Sequence, residues 1–189
     1  MGNQVTIKKE AVLEAYKQAS EEQKQVLENL FGKDMFLPQD ITERIKTFQD
    51  AVLLLGYDNQ TVIDYHRLSN INSAKDIIAF AKLRVIAEAL NEGWKPMFYK
   101  KESRYYPWFF IYNNEEYEKL NEEEKKECYV VRRSCAGSVT NGGVVYAHSY
   151  YVSSDTNSPS DSRLSLKTSK LAEYCGRQFI DIWADYLFG

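Results

Sequence analysis

The chain has 189 residues, of which 44% are hydrophobic and 27% charged, so it is long enough and apolar enough to bury a core. Its formal net charge of −3 argues against a strong nonspecific grip on DNA or RNA, which requires a basic surface. No stretch approaches the roughly 18 consecutive apolar residues of a membrane-spanning helix, and the first residues carry no secretory pattern, so we expect a cytoplasmic protein.

The first residues carry the pattern of a helical hairpin. Apolar residues recur at helical spacing over residues 8–19, which predicts a first amphipathic helix. Ser20 followed by Gln23 is a capping box and predicts the start of a second helix. Gly32 is placed to end that helix, because glycine tolerates the backbone conformation found at helix C-termini.

Two further helices are predicted before residue 94. Asp40 with Glu43 is another capping box, and the apolar spacing that follows predicts a helix running to Gly56. Residues 57–72 are polar and are predicted as a loop. A longer helix is predicted from Ser73 to Gly93, and it is apolar on more than one side, which is typical of a central helix covered by its neighbours.

From residue 94 the patterns favour strands. Asn141-Gly142 is a strong turn signal and predicts a tight hairpin at that point. The acidic residues 113–127 are predicted as a solvated loop or short helix, and residues 153–162 as an exposed loop. Thr168 or Ser169 is predicted to cap a closing helix that contains Phe179 and Trp183. The predicted strands are residues 94–99, 105–112, 128–133, 143–152 and 163–167.

These elements predict an α+β fold, with N-terminal helices packed beside an antiparallel β-meander and a closing C-terminal helix. The composition changes near residue 93, which divides the chain into a helical region, residues 1–93, and a region of sheet plus helix, residues 94–189. The long apolar helix before residue 93 would expose large side chains on its own. We therefore predict that the two regions fold as one unit.

Residues 105–112, with the sequence YYPWFFIY, are the most aromatic part of the chain. Such a segment favours a strand, with Pro107 confined to its start or to a sheet edge. It holds more apolar surface than one face of a strand needs. It therefore either fills a core from both sides or presents rings to a ligand, and in a protein-interaction role it would be the interface. The sequence separately leaves a homo-oligomer open.

Several segments resemble uncharacterised proteins encoded by phages and prophages of gut Bacteroidales. The resemblance includes AVLEAYKQASEEQKQVLENLFGKDMF at residues 11–36, and also ITERIKTFQDAVLLLG, KLRVIAEALNEGWKP, YYPWF and SRLSLKTSKLAEYCGRQFIDIW. In the last segment Leu166 stands where similar phage proteins carry Phe. The resemblance implies a phage or prophage origin and action in the cytoplasm of an infected or lysogenic bacterium. It transfers no catalytic residue.

The sequence contains no phosphate-binding glycine loop and no recognisable catalytic arrangement, so we expect a protein that is not an enzyme. Its three cysteines, Cys128, Cys135 and Cys175, are scattered, which favours reduced thiols. A zinc site would require distant residues to converge on His66 or His148. We expect no metal and no cofactor.

Cations and aromatic rings of the predicted sheet define the predicted ligand site. Cations beside rings suit a phosphate and a stacked base, whereas the alternative is ordinary strand alternation with solvated arginines. The leading hypothesis is an accessory protein that binds a nucleotide-like ligand, in one version a host immune signal. The alternatives are single-stranded nucleic-acid binding and a protein-interaction or virion role. The predicted ligand-binding residues are Arg132, Arg133, Tyr146, Tyr150, Tyr151, Arg163, Lys167 and Trp108.

Overall fold

A computed structural model describes residues 6–97, 102–127, 129–135, 138–153 and 162–189. For residues 114, 127, 129–135, 138–153 and 162 it describes the backbone alone. The chain forms two compact units, residues 1–44 and residues 45–189. The boundary between them lies within the region predicted as helical, residues 1–93, and does not coincide with the change of composition near residue 93. Folding as one unit stays a prediction.

The first unit is helical, as predicted. The capping box is present: the Gln23 amide donates to Ser20 Oγ at 3.4 Å, and the Ser20 amide donates to Gln23 Oε1 at 2.9 Å. Gly32 follows the second helix with a φ of 83°, a conformation that glycine adopts without strain. The helices are α1 (Lys9–Gln18), α2 (Glu21–Phe31) and α3 (Ile41–Arg44), with a 3-10 turn at Lys33–Phe36.

Tyr16 connects the elements of the first unit. Its ring stacks on Phe36 with the ring centroids 4.0 Å apart, and its hydroxyl donates to Glu28 Oε1 at 2.5 Å. The hydrogen bond to the Glu28 carboxylate, together with desolvation, raises the pKa of Tyr16 above its usual value. One side chain of α1 thus holds both α2 and the turn that follows it.

The helix predicted from Asp40 to Gly56 is two helices, α3 and α4 (Phe48–Leu55). A second capping box separates them: the Asp50 amide donates to Thr47 Oγ1 at 3.2 Å, and the Thr47 amide donates to Asp50 Oδ2 at 2.8 Å. Hydrogen bonds from Thr47 lower the pKa of Asp50. This second start signal explains why the chain does not continue as one helix.

Residues 57–72 were predicted as a loop, and this prediction is wrong because they contain α5 (Gln60–Asn70). Asn59 caps the helix, since its side-chain oxygen accepts hydrogen bonds from the amides of Thr61 at 2.8 Å and Val62 at 3.4 Å. The next helix, α6 (Lys75–Asn91), contacts α4, α5 and the last helix of the chain, and nine of its residues are buried. The prediction of a central apolar helix is therefore confirmed.

The described strands are β1 (Ser103–Tyr112), β2 (Tyr129–Cys135) and β3 (Ser138–Ser153). They form a sheet of order β1-β3-β2, in which β3 pairs antiparallel with each of the other two. The α+β class holds. A meander, in which each strand pairs with the next along the chain, is not shown, because β1 pairs with β3.

The hairpin turn predicted at Asn141-Gly142 is wrong. Cys135 pairs with Ser138, so the connection of the hairpin lies before β3, and Asn141 lies inside β3 opposite Arg132. The β-branched residues on either side of Asn141-Gly142 favour continuing the strand through these two positions.

Two other predicted strands are not present as strands among the described residues. Residues 94–97 have no strand, and residues 98–99 lie outside the described residues. Residues 163–167 contain the end of a 3-10 turn (Ser162–Leu164) and a single bridge, in which Leu166 exchanges two backbone hydrogen bonds with Tyr105 at 2.9 and 3.1 Å. The acidic segment forms short helices, α7 (Asn114–Glu118) and α8 (Glu122–Glu127), as predicted.

The closing helix is divided at Phe179 into α9 (Ser169–Gln178) and α10 (Ile180–Phe188). Thr168 caps α9, as predicted, by accepting a hydrogen bond from the Leu171 amide. Phe179 is 3% exposed and Trp183 6% exposed, which confirms both as core residues. Trp183 contacts the ring of Phe109 at a centroid distance of 5.4 Å, so α10 packs against the face of β1 that carries Phe109.

Candidate functional site

A cleft of about 530 Å³ lies in the second unit. Its walls come from the N-terminus of α5, the C-terminal half of α6, residues 94–96 and residues 163–165. It is lined by three cations and one carboxylate, which are Arg84, Lys95, Arg163 and Glu88. Its lining therefore carries more positive than negative charge, in a chain whose net charge is negative.

The two arginines of the cleft are held by different neighbours. Arg84 Nη1 lies 3.8 Å from Asp64 Oδ2, and about 28% of the Arg84 side chain stays exposed. The guanidinium of Arg163 lies 5.1 Å from the ring centroid of Phe80. The ion pair orients the Arg84 guanidinium, and the cation–π contact orients that of Arg163. Both guanidinium groups line the cleft, and a guanidinium is the side-chain group best suited to bind a phosphate or carboxylate.

Glu88 joins α6 to the start of α5. Its carboxylate accepts hydrogen bonds from Asn59 Nδ2 at 3.0 Å and from Thr61 Oγ1 at 2.5 Å. An ionised carboxylate offers about four acceptor positions, so these bonds leave others for donor groups of a ligand. Glu88 thus fixes one wall of the cleft and supplies its negative charge.

Trp94 is brought to the cleft by the way in which α6 ends. Glu92 and Gly93 both have positive φ, 47° and 85°, which turns the chain back sharply after the helix. The Trp94 amide then donates to the Asn91 carbonyl oxygen at 2.9 Å. Trp94 and Pro96 add an aromatic and an apolar surface to the cationic lining.

Asn91 attaches the opposite wall of the cleft to α6. Its side chain is 5% exposed, its Nδ2 donates to the Ser165 carbonyl oxygen at 2.8 Å, and its Oδ1 accepts from the Lys167 amide at 3.0 Å. Lys167 Nζ also lies 2.7 Å from Glu92 Oε2. These contacts join residues more than 70 positions apart in the sequence, and they fix residues 163–167 against the end of α6.

The predicted ligand-binding residues do not gather in one place along the sheet. Arg132 and Arg133 pair with Asn141 and Thr140, whereas Tyr150 pairs at the other end of β3 with a residue of β1. Nine positions of extended chain separate residue 141 from residue 150, which corresponds to roughly 30 Å. The prediction that these groups share one surface fails on this register, because the hairpin connection lies before β3 and not at Asn141-Gly142.

The remaining predicted residues lie on the β1–β3 ladder or at the cleft. Tyr151 pairs with Tyr105, which bridges Leu166, while Tyr146 pairs with Phe109. Trp108 pairs with His148 and is 44% exposed. Of the predicted set, Arg163 lines the cleft, and Lys167 lies beside it in its ion pair with Glu92.

The sequence interpretation missed most of the cleft. Arg84, Glu88 and Asn91 are four and then three residues apart, a spacing that places them on one face of a helix. A helix otherwise assigned to the core that carries three polar residues on one face is a signal for a site. Trp94 and Lys95 carry no comparable signal, because their position depends on the turn at Glu92.

No group of three or more His, Cys, Asp or Glu side chains is placed to hold a metal ion within the described residues. Cys175 is fully buried, and desolvation raises its pKa to about 12, with the neighbouring Trp183 lowering it in part. Its thiol is therefore protonated at neutral pH and cannot act there as a thiolate nucleophile. No described helix is long and apolar enough to cross a bilayer.

Comparison with protein-family models finds no match, and comparisons with curated proteins and with solved structures find none either. The chemistry of the cleft rests on the residues that line it.

Proposed function

We propose that this chain is a non-enzymatic binding protein for a nucleotide-like ligand, held in the cleft between α5, α6 and residues 163–165. One specific version is a phage accessory protein that sequesters a nucleotide signal of host immunity in the cytoplasm. The resemblance to phage proteins favours that version. The lining of the cleft supports the ligand class independently of the phage origin.

The observation that carries the proposal is the combination of Arg84, Lys95 and Arg163 with Trp94 in one cleft. Guanidinium groups bind phosphate oxygens through two parallel hydrogen bonds, and an indole offers a face on which a base can stack. Glu88 supplies acceptors for the amino or hydroxyl groups of a base or sugar. A purely anionic ligand such as free phosphate would leave Trp94 and Glu88 without a role.

Calorimetric titration tests the ligand class. Mononucleotides, cyclic dinucleotides and single-stranded oligonucleotides are each titrated into the full chain at two salt concentrations. A cleft ligand gives saturable one-to-one binding with mild salt dependence. Single-stranded nucleic-acid binding gives an affinity that grows with strand length and falls steeply with salt. Binding of none of these ligands refutes the proposal.

Two substitutions assign the binding to the cleft. Arg163→Ala and Arg84→Ala should each weaken nucleotide binding by about 1.5–3 kcal/mol, or about 10- to 150-fold, because a charge-assisted hydrogen bond is lost. The control is Arg177→Ala, since Arg177 forms an exposed pair with Glu173 on α9, outside the cleft. All three variants should keep nearly the same melting temperature. If the Arg163 variant and the control bind nucleotide with equal affinity, the nucleotide does not bind in the cleft.

A protein-interaction role is the second candidate, and one observation favours it. Trp108, Phe110 and Ile111 of β1 are 44%, 53% and 53% exposed, which is unusual for neighbouring large apolar residues. A virion-associated role would also use such a surface.

A further inference from the structure

The C-terminal half of β1 exposes apolar side chains on both faces of the strand. Phe110 and Ile111 are adjacent, so they point to opposite faces, and each is more than half exposed. β1 is also an end strand in the order β1-β3-β2. Among the described residues, the bridge of Tyr105 to Leu166 is the strand pairing on its outer edge. This part of the molecule is independent of the cleft and of its proposed ligand.

The backbone orientation along β1 follows from that bridge. Tyr105 exchanges both of its hydrogen bonds with Leu166, so its N–H and carbonyl groups point to the outer edge. Alternate residues repeat this orientation, which directs the backbone groups of Phe109 and Ile111 outward as well. The register shift in the β1–β3 ladder places the extra residue on β3, so the alternation on β1 continues through it. The backbone of Pro107 has the same outward orientation, so the N–H group that proline lacks would not have bonded to β3.

We propose that two copies of the chain pair antiparallel through the outer edges of β1, with Phe110 on the two-fold axis. In this register Phe109 lies opposite Ile111 of the second copy, and the reverse pair follows by symmetry. Both are outward-facing residues, so each pair exchanges two backbone hydrogen bonds. Trp108 lies opposite Tyr112 of the second copy, which adds two aromatic cross-strand pairs.

The charge pattern of β1 points to a second copy as the occupant. Residues 105–112 contain no charged side chain, whereas monomeric proteins commonly place charges on exposed edge strands to prevent self-pairing. Pro107 limits pairing on the N-terminal side, which leaves the stretch after it for the contact. An isologous contact needs one surface that complements itself, and a neutral aromatic strand meets that condition.

The oligomeric state of the full chain tests the proposal directly. Sedimentation analysis over about 1–100 µM should show the mass of a dimer at the upper end and dissociation on dilution, as mass action requires. A monomer throughout that range overturns the proposal without recourse to any variant.

A charge exchange at Phe110 tests the symmetry of the contact. Phe110→Lys and Phe110→Glu should each weaken dimerisation by at least about tenfold, because like charges would lie directly opposite each other. An equimolar mixture of the two variants should recover a dimer. The control is Leu53→Lys, because Leu53 is 61% exposed on α4, a helix that packs on α6, and this variant should dimerise like the parent chain. Dimers of Phe110→Lys alone, or no recovery on mixing, overturn the register.

Discussion

Replacing Asn91 tests how strongly residues 163–167 depend on α6. Asn91 makes two hydrogen bonds to the backbone of that segment, one to the Ser165 carbonyl oxygen and one from the Lys167 amide. Leaving a buried polar group without a partner costs about 1–3 kcal/mol. Two such groups give a loss of about 2–6 kcal/mol in the free energy of unfolding, against a usual total of about 5–15 kcal/mol.

Two replacements separate the hydrogen bonds from packing. Asn91→Ala removes both hydrogen bonds and creates a space, whereas Asn91→Leu removes both hydrogen bonds but keeps a similar volume. Because Asn91 lines the cleft, water can reach part of this space, so we expect values in the lower half of the range. The two variants should therefore lose similar amounts of stability. A loss confined to the alanine variant would indicate packing alone.

The free energy of unfolding is measured by urea denaturation with circular dichroism. Asn70→Ala is the matched control, since Asn70 is exposed at the end of α5, and it should stay within about 0.5 kcal/mol of the parent chain. The reasoning is refuted if Asn91→Leu unfolds within about 0.5 kcal/mol of the parent chain, because the two backbone groups would then not depend on Asn91.

Three further predictions concern the second unit. Burial raises the pKa of Cys175 from 9.0 to about 12, so the unfolded chain loses this proton at a lower pH than the folded chain does. The stability contributed by the protonated thiol is therefore complete below about pH 9 and is lost as the pH rises toward 12. The difference in unfolding free energy between the parent chain and Cys175→Ala should therefore shift by about 1.4 kcal/mol against the parent chain between pH 8 and pH 10, and a constant difference would contradict the assigned pKa. Phe179→Ala and Trp183→Ala should each cost about 3–5 kcal/mol in urea denaturation, and losses below about 1 kcal/mol would place both side chains on the surface. A fragment of residues 45–189 should melt cooperatively, because it contains the whole second unit. A fragment of residues 94–189 should aggregate, because α10 loses its contacts with α6. If this shorter fragment is soluble and melts cooperatively, α6 is dispensable.

Helix starts that depend on a few neighbouring residues could be predicted from the sequence. Ser20 with Gln23, and Thr168, act through hydrogen bonds that span three residues, so the local sequence is sufficient. Asn59 is also a local cap, but α5 was predicted as a loop because few apolar residues follow it. The buried face of α5 is short, with Thr61 and Val62 buried near its start. Packing against α6 stabilises this helix, although its apolar pattern is weak.

The cleft could not be predicted from local patterns, because it combines α6 with residues 163–165 through hydrogen bonds that span more than 70 positions. Arg163 was predicted for its charge and its proximity to aromatic segments, and its position in the cleft depends on Asn91. Arg132 and Arg133 were grouped with Tyr150 because their strands were expected to be neighbours. Two neighbouring strands can pair in more than one register, and the register decides which residues lie opposite each other. Because the turn lies before β3 and not at Asn141-Gly142, Arg132 and Arg133 do not lie opposite Tyr150.

The register of β3 also divides the sheet into two parts with separate mechanical roles. β1 pairs with residues 143–153 of β3, β2 pairs with residues 138–144, and Gly143 and Val144 alone among the described pairs belong to both ladders. Within the sheet, a load applied to β2 therefore reaches β1 through a junction two residues wide. Insertions at the β2–β3 connection should be tolerated by the β1–β3 part of the sheet, which packs on α9. The connection of the hairpin can thus change in length while β1 and α9 keep their arrangement.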